Sequence, residues 1–189
     1  LGEGNYEGSA DIEFFSNVNI QIPYSAVTAT YETKNGFSLV HSYARRLNDQ
    51  EVEAQKTYKK IAESGWTIRD NNNVTSFASF YAGQLGIDTD INLTITNFEG
   101  RTEILKKKSI SFQPYSTIKI IPKEFSKLSN FDLIGFLKDK PGHCSVELEC
   151  PFAMFPRGLV GNYKIENSVY TDFKVTHSSE HNKIAVPAL

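Results

Sequence analysis

His41 and His177 are the two side chains best suited to acid–base or metal chemistry in this sequence. Each lies in an alternating run, Phe37, Leu39, His41, Tyr43 and Arg45 in one case and Phe173, Val175, His177 in the other. In an extended strand, residues two apart share a face, so both histidines ride on apolar strand faces. Imidazole titrates near neutrality and binds transition metals. On neighbouring strands the pair would make a metal site or an acid–base couple, with Glu147 or Glu149 as a carboxylate and His143 on the same polar strand face. The usual mark of a cup-shaped metal site, two histidines one residue apart, does not occur in the chain. Asp88-Thr89-Asp90, read as a loop, offers two hard oxygen donors of the kind calcium takes.

Ring faces and polar forks suggest a different chemistry. A saccharide site stacks flat rings on the apolar face of a sugar and addresses the hydroxyls with amides, carboxylates and guanidinium groups. Trp66, Tyr43 and Tyr81 supply rings, with Phe77 sharing the face of Tyr81; Arg45, Arg69 beside Asp70, Arg157 and Asn162 supply forks. Arg157 falls in the segment 155–163, whose proline and two glycines fix a backbone path. A guanidinium held there could clamp an anion. The nucleophile elbow, phosphate loop and dinucleotide fingerprint are all absent.

These residues must be held by strands. The stretch 91–122 alternates most regularly: Ile91, Leu93 and Ile95 share one face, and Ile110 with Phe112 and Ile118 with Ile120 continue the pattern. The pattern predicts three consecutive antiparallel strands broken by turns at Asn97–Gly100 and Pro114-Tyr115. Lys106-Lys107-Lys108 falls in a strand or bulge and reads as a charged, solvated edge. Further strands are expected around 11–15, 17–23, 26–33, 37–46, 66–70, 74–82, 143–150, 158–166 and 169–177. One surface helix is predicted near 50–64, capped by Asn48 or Asp49 and ended by Gly65. A short helical segment is expected near 123–138. Cys144 and Cys150 lie on one extended run, about 20 Å apart. That is too far for a disulfide, so both read as small buried hydrophobes.

Composition supports a soluble, mostly β chain. With 189 residues, 40% hydrophobic content and 22% charged residues, it can bury a substantial core without metals or disulfides. A formal net charge of −2 gives no electrostatic case for nucleic acid, and no apolar run is long enough to span a membrane as a helix. The expected architecture is all-β: a two-layer antiparallel β-sandwich of jelly-roll or Ig-like Greek-key type. It forms one domain over residues 1–189, with 1–10 and 179–189 as loose arms. The leading functional expectation is a non-catalytic binding module with a saccharide ligand and no cofactor. A jelly-roll enzyme or metal-binding protein using His41 and His177 is the alternative, and a self-assembling structural subunit the third. Compartment and oligomeric state are left open.

Overall fold

The computed structural model describes residues 10, 12, 15–19, 27–42, 49, 59–81, 86–151, 158–167, 169–177 and 179–183. Strands β1 (Val27–Thr33) and β2 (Gly36–Ser42) form a separate hairpin; residues 12 and 15–19, where strands 11–15 and 17–23 are expected, are not strand, and the rest of 11–23 lies outside the described residues. Then follow β3 (Lys59–Ile68), β4 (Thr75–Tyr81), β5 (Ile87–Thr96), β6 (Thr102–Phe112) and β7 (Thr117–Ile120). Two short helices come next, α1 (Pro122–Leu128) and α2 (Leu133–Leu137). Strands β8 (Gly142–Pro151), β9 (Gly158–Glu166), β10 (Val169–His177) and β11 (Ser179–Lys183) complete the set. One sheet has the order β11-β3-β8-β5-β6 and the other β10-β9-β4-β7, and every pairing is antiparallel. The chain is an all-β sandwich, as its alternation predicts.

Consecutive strands β3 and β4 sit in opposite sheets, as do β8 and β9; β3 pairs with β8 and β4 with β9. This interlock is the Greek-key element of the fold. It also corrects the reading of 91–122 as one three-stranded meander. Strands β5 and β6 pair, but after Pro114 and Tyr115 the chain crosses over, and β7 pairs with β4. Tyr115 takes φ 62° at that crossing.

The main core lies between the sheets. Trp66 and Ile68, Ala78 and Phe80, Ile91, Leu93 and Ile95, Ile118 and Ile120, and Cys144 and Val146 all point into it. Phe125 of α1 and Leu133 and Leu137 of α2 close one end, as the apolar pattern near 123–138 predicts. A smaller core covers the opposite face of the four-stranded sheet. There Phe77 stacks on Phe173 at 5.4 Å between ring centres, and Val40 and Tyr31 of the hairpin pack over Val175 and Phe173.

Three expectations are corrected. Residues 59–64, assigned to the 50–64 helix, belong to β3, which is hydrogen-bonded to β8 on one side and β11 on the other. Residues 50–58 lie outside the described residues. Lys, Ala and Glu are good helix formers, but propensity is a small local preference that two flanking strands outweigh. Gly65 is accordingly no helix cap. It is a strand residue where an added Cβ would stand 2.8 Å from the His143 imidazole. Second, residues 179–183 of the expected loose tail form β11; residues 184–189 and 1–9 lie outside the described set. Third, Asp88-Thr89-Asp90 is strand rather than loop, with Thr89 buried and both aspartates exposed.

The turn between β3 and β4 is fixed from α1. Lys123 donates its Nζ to the Asn71 carbonyl at 2.6 Å and to the Val74 carbonyl at 3.3 Å, while Asn71 Oδ1 accepts from the backbone of Asn73 and Val74. Charge-assisted bonds of this kind contribute more than neutral ones. Lys123→Met is expected to lower stability by about 1–2 kcal/mol in urea unfolding, with the slope of the transition unchanged.

Candidate functional site

Beyond Gly65, strand β3 loses its β11 neighbour, because the β11 register ends at the Ser179–Gly65 pair. Among the described residues, Trp66 to Ile68 therefore have no strand partner on that side. The chain has just crossed from β10 in the other sheet, so the sandwich is open here. A cleft of about 440 Å³ lies between β3 on one side and β9 and β10 on the other. Trp66 and Val160 give it apolar walls; Thr67, Asn162, Lys174 and Thr176 give it polar groups. Its volume falls within the range of small-ligand pockets.

The inner face of β9–β10 is set by register. Lys174 pairs with Asn162 and Thr176 with Val160, so these four side chains form one block, each directly opposite its partner. Asn162 is oriented from behind: the Ser76 hydroxyl donates to its Oδ1 at 2.7 Å. Ser76 Oγ in turn accepts the Arg69 N–H at 2.9 Å, and Ser76 N–H donates to Asp70 Oδ1 at 3.0 Å. Asn162 is thereby left with its amide N–H groups unclaimed among the described residues. Trp66 is buried, and its indole N–H has no partner among the described residues. Asp70 is 1% exposed, with Oδ2 likewise unpartnered, and burial pushes its carboxyl above the usual range despite the Ser76 bonds and the Lys123 charge. Cys144, opposite Trp66 on β8, is a free buried thiol raised well above its ordinary value by burial and then by Asp70. It is a core residue of the inert kind.

Of the residues singled out by sequence, the structure brings Trp66 and Asn162 together in this cleft. Arg69 is exposed while its neighbour Asp70 is buried, so the two do not form a fork. Phe77 is buried in the smaller core, which removes it as an exposed stacking platform; Trp66 at 6% exposure offers no open ring face either. The side chains of Tyr81 and His177, and all of Tyr43, Arg45 and Arg157, lie outside the described residues. His41 is exposed on the outer face of β2, beside the exposed Phe37 and Leu39, so that alternating face points away from the core. The hairpin runs along β10 in the same direction: Asn35 Nδ2 donates to the Thr171 carbonyl, and Ser38 Oγ accepts from Val175 N–H. No group of three metal-ligating side chains occurs among the described residues, and no helix there is long and apolar enough to cross a membrane.

Lys174, Val160, Thr67 and Thr176 were missed by sequence reasoning. Lys174 alternates with Phe173 and Val175, a position that reads as solvent-facing. Lys174 is indeed exposed, on the β10 face that borders the cleft beside β3. Comparison with family models, curated proteins and solved structures finds no match to this chain.

Proposed function

We propose that this chain is a non-catalytic β-sandwich binding module whose ligand, a saccharide, seats in the cleft between β3 and β9–β10. The observation that supports it is the cleft itself: apolar walls from Trp66 and Val160, beside an Asn162 amide whose orientation is set by Ser76. Hydroxyl-rich ligands are held by a few oriented polar groups set among apolar surface. With Trp66 and Phe77 buried, the reading rests on these donors and not on ring stacking.

Trp66 is the single tryptophan of the chain, so its emission reports on this cleft alone. Titration with a panel of oligosaccharides is expected to shift that emission for at least one class and to perturb the amide resonances of residues 65–67, 160–162 and 174–176. Asn162→Ala is expected to weaken that binding roughly tenfold, the worth of a hydrogen bond or two. Silence at all three segments across the panel, at millimolar sugar, would overturn the reading.

A further inference from the structure

From the cleft's chemistry we infer that its ligand is an acidic saccharide, one carrying a carboxylate; this rests on the binding-module reading above. The polar groups available there are mostly donors. Lys174 is the one charged residue among the described residues lining the cleft, and no Asp or Glu joins it. The excess of acids over bases in the chain as a whole makes that local sign informative. Asn162 Oδ1 already accepts the Ser76 hydroxyl proton, while the amide N–H groups of Asn162 are unclaimed among the described residues. What Asn162 presents is its N–H₂.

Position makes the two donors act together. Lys174 and Asn162 are cross-strand partners on one face, with Cβ atoms about 5 Å apart. An ammonium and an amide at that separation can share the two oxygens of one carboxylate, and charge-assisted bonds of this kind are stronger than those a neutral hydroxyl accepts. Lys174 has no ion-pair partner among the described residues, whereas Lys138 holds Glu99 and Lys164 holds Asp172. Thr67 and Thr176 remain for sugar hydroxyls. A competing role exists for the same residue: β10 is an edge strand, and inward charges on edge strands discourage pairing with other chains.

The experiment compares a galacturonate trimer with its fully methyl-esterified form, which keeps the sugar skeleton and removes the charge. A simple dicarboxylate, glutarate, is the third probe, and Trp66 emission with amide shifts is the readout. The acid trimer is expected to bind roughly tenfold more tightly than the ester and to weaken with added salt. Lys174→Met is expected to erase the difference, and Lys174→Arg to keep it. Equal binding of acid and ester would overturn the acidic preference while leaving the module reading intact. Glutarate binding as well as the trimer would overturn the saccharide assignment. An undiminished preference in Lys174→Met, or self-association as that variant's one effect in sedimentation, would return Lys174 to edge protection. If neither trimer binds, the inference fails; the module reading fails with it when the neutral panel is silent too.

Discussion

Phe80→Ala is expected to cost about 3–5 kcal/mol, the largest loss from any single truncation in this core. Phe80 is 1% exposed and lies in the main core on β4, between β7 and β9. Its cross-strand partner on β9 is Gly158, and a Cβ added there would fall 2.4 Å from the Phe80 ring. The ring therefore occupies the space that a side chain on β9 would fill. Two consequences follow for measurement. Gly158→Ala alone is expected to cost about 1–3 kcal/mol through overpacking. In the Phe80→Ala background the ring clash is gone and only the Ser79 carbonyl, 2.9 Å away, crowds the same methyl group, so it is expected to cost clearly less. The double-mutant cycle in urea unfolding should thus be strongly non-additive. Additive losses would mean the ring and the glycine are not coupled.

The second large effect concerns Asp70. Its Oδ1 accepts the Ser76 N–H beneath the turn that carries the chain from one sheet to the other. Asp70→Ala orphans a buried backbone donor and is expected to cost about 1–3 kcal/mol. Asp70→Asn keeps an acceptor oxygen and removes the charge, which separates packing from ionisation. Burial raises the folded-state pKa of this carboxyl, so the folded chain holds a proton that the unfolded chain has released. The contribution of Asp70 to stability is therefore full below the unfolded carboxyl value and is lost as pH rises through the folded one. As pH rises above the unfolded carboxyl value, the native protein is expected to lose stability relative to Asp70→Asn. Unfolding midpoints that run parallel across that range would refute the assignment.

How far the fold could be read beforehand depended on where local pattern and tertiary pairing agree. Ile91, Leu93 and Ile95 alternate, and all three are buried. On β6 the pattern breaks: Leu105 and Ile110 both turn toward the core although they stand an odd five positions apart. An extra β6 residue between the Ile91–Lys107 and Thr89–Ile110 pairs resets the alternation. A bulge of this kind leaves no fixed trace in composition. The run Lys106–Lys108 that sits there does read correctly as an edge, since β6 ends its sheet. Residues 59–64 misled because helix preference is local and β3 is held by strands far away in sequence. The cleft was half visible. Trp66 and Asn162 stand out by type, but Lys174 acquires meaning only when β10 is placed across from β3, and nothing within 169–177 states that.

The interlock of β3–β4 with β8–β9 also sets an order in time. Ile68 finds its partner at Gly142 and Lys59 at Pro151, while Thr75 waits for Tyr163. Among the strands of the two sheets, β5 with β6 and β9 with β10 can close as local hairpins. The centre of each sheet cannot zip until both halves of the chain are present, and long loops must be closed before any contact rewards it. Such a chain folds on the millisecond-to-second scale, not in microseconds. During synthesis, β3 and β4 would emerge with Trp66, Ile68 and Phe80 uncovered. They would stay so until β8 and β9 follow, which makes the half-made chain the form most exposed to aggregation.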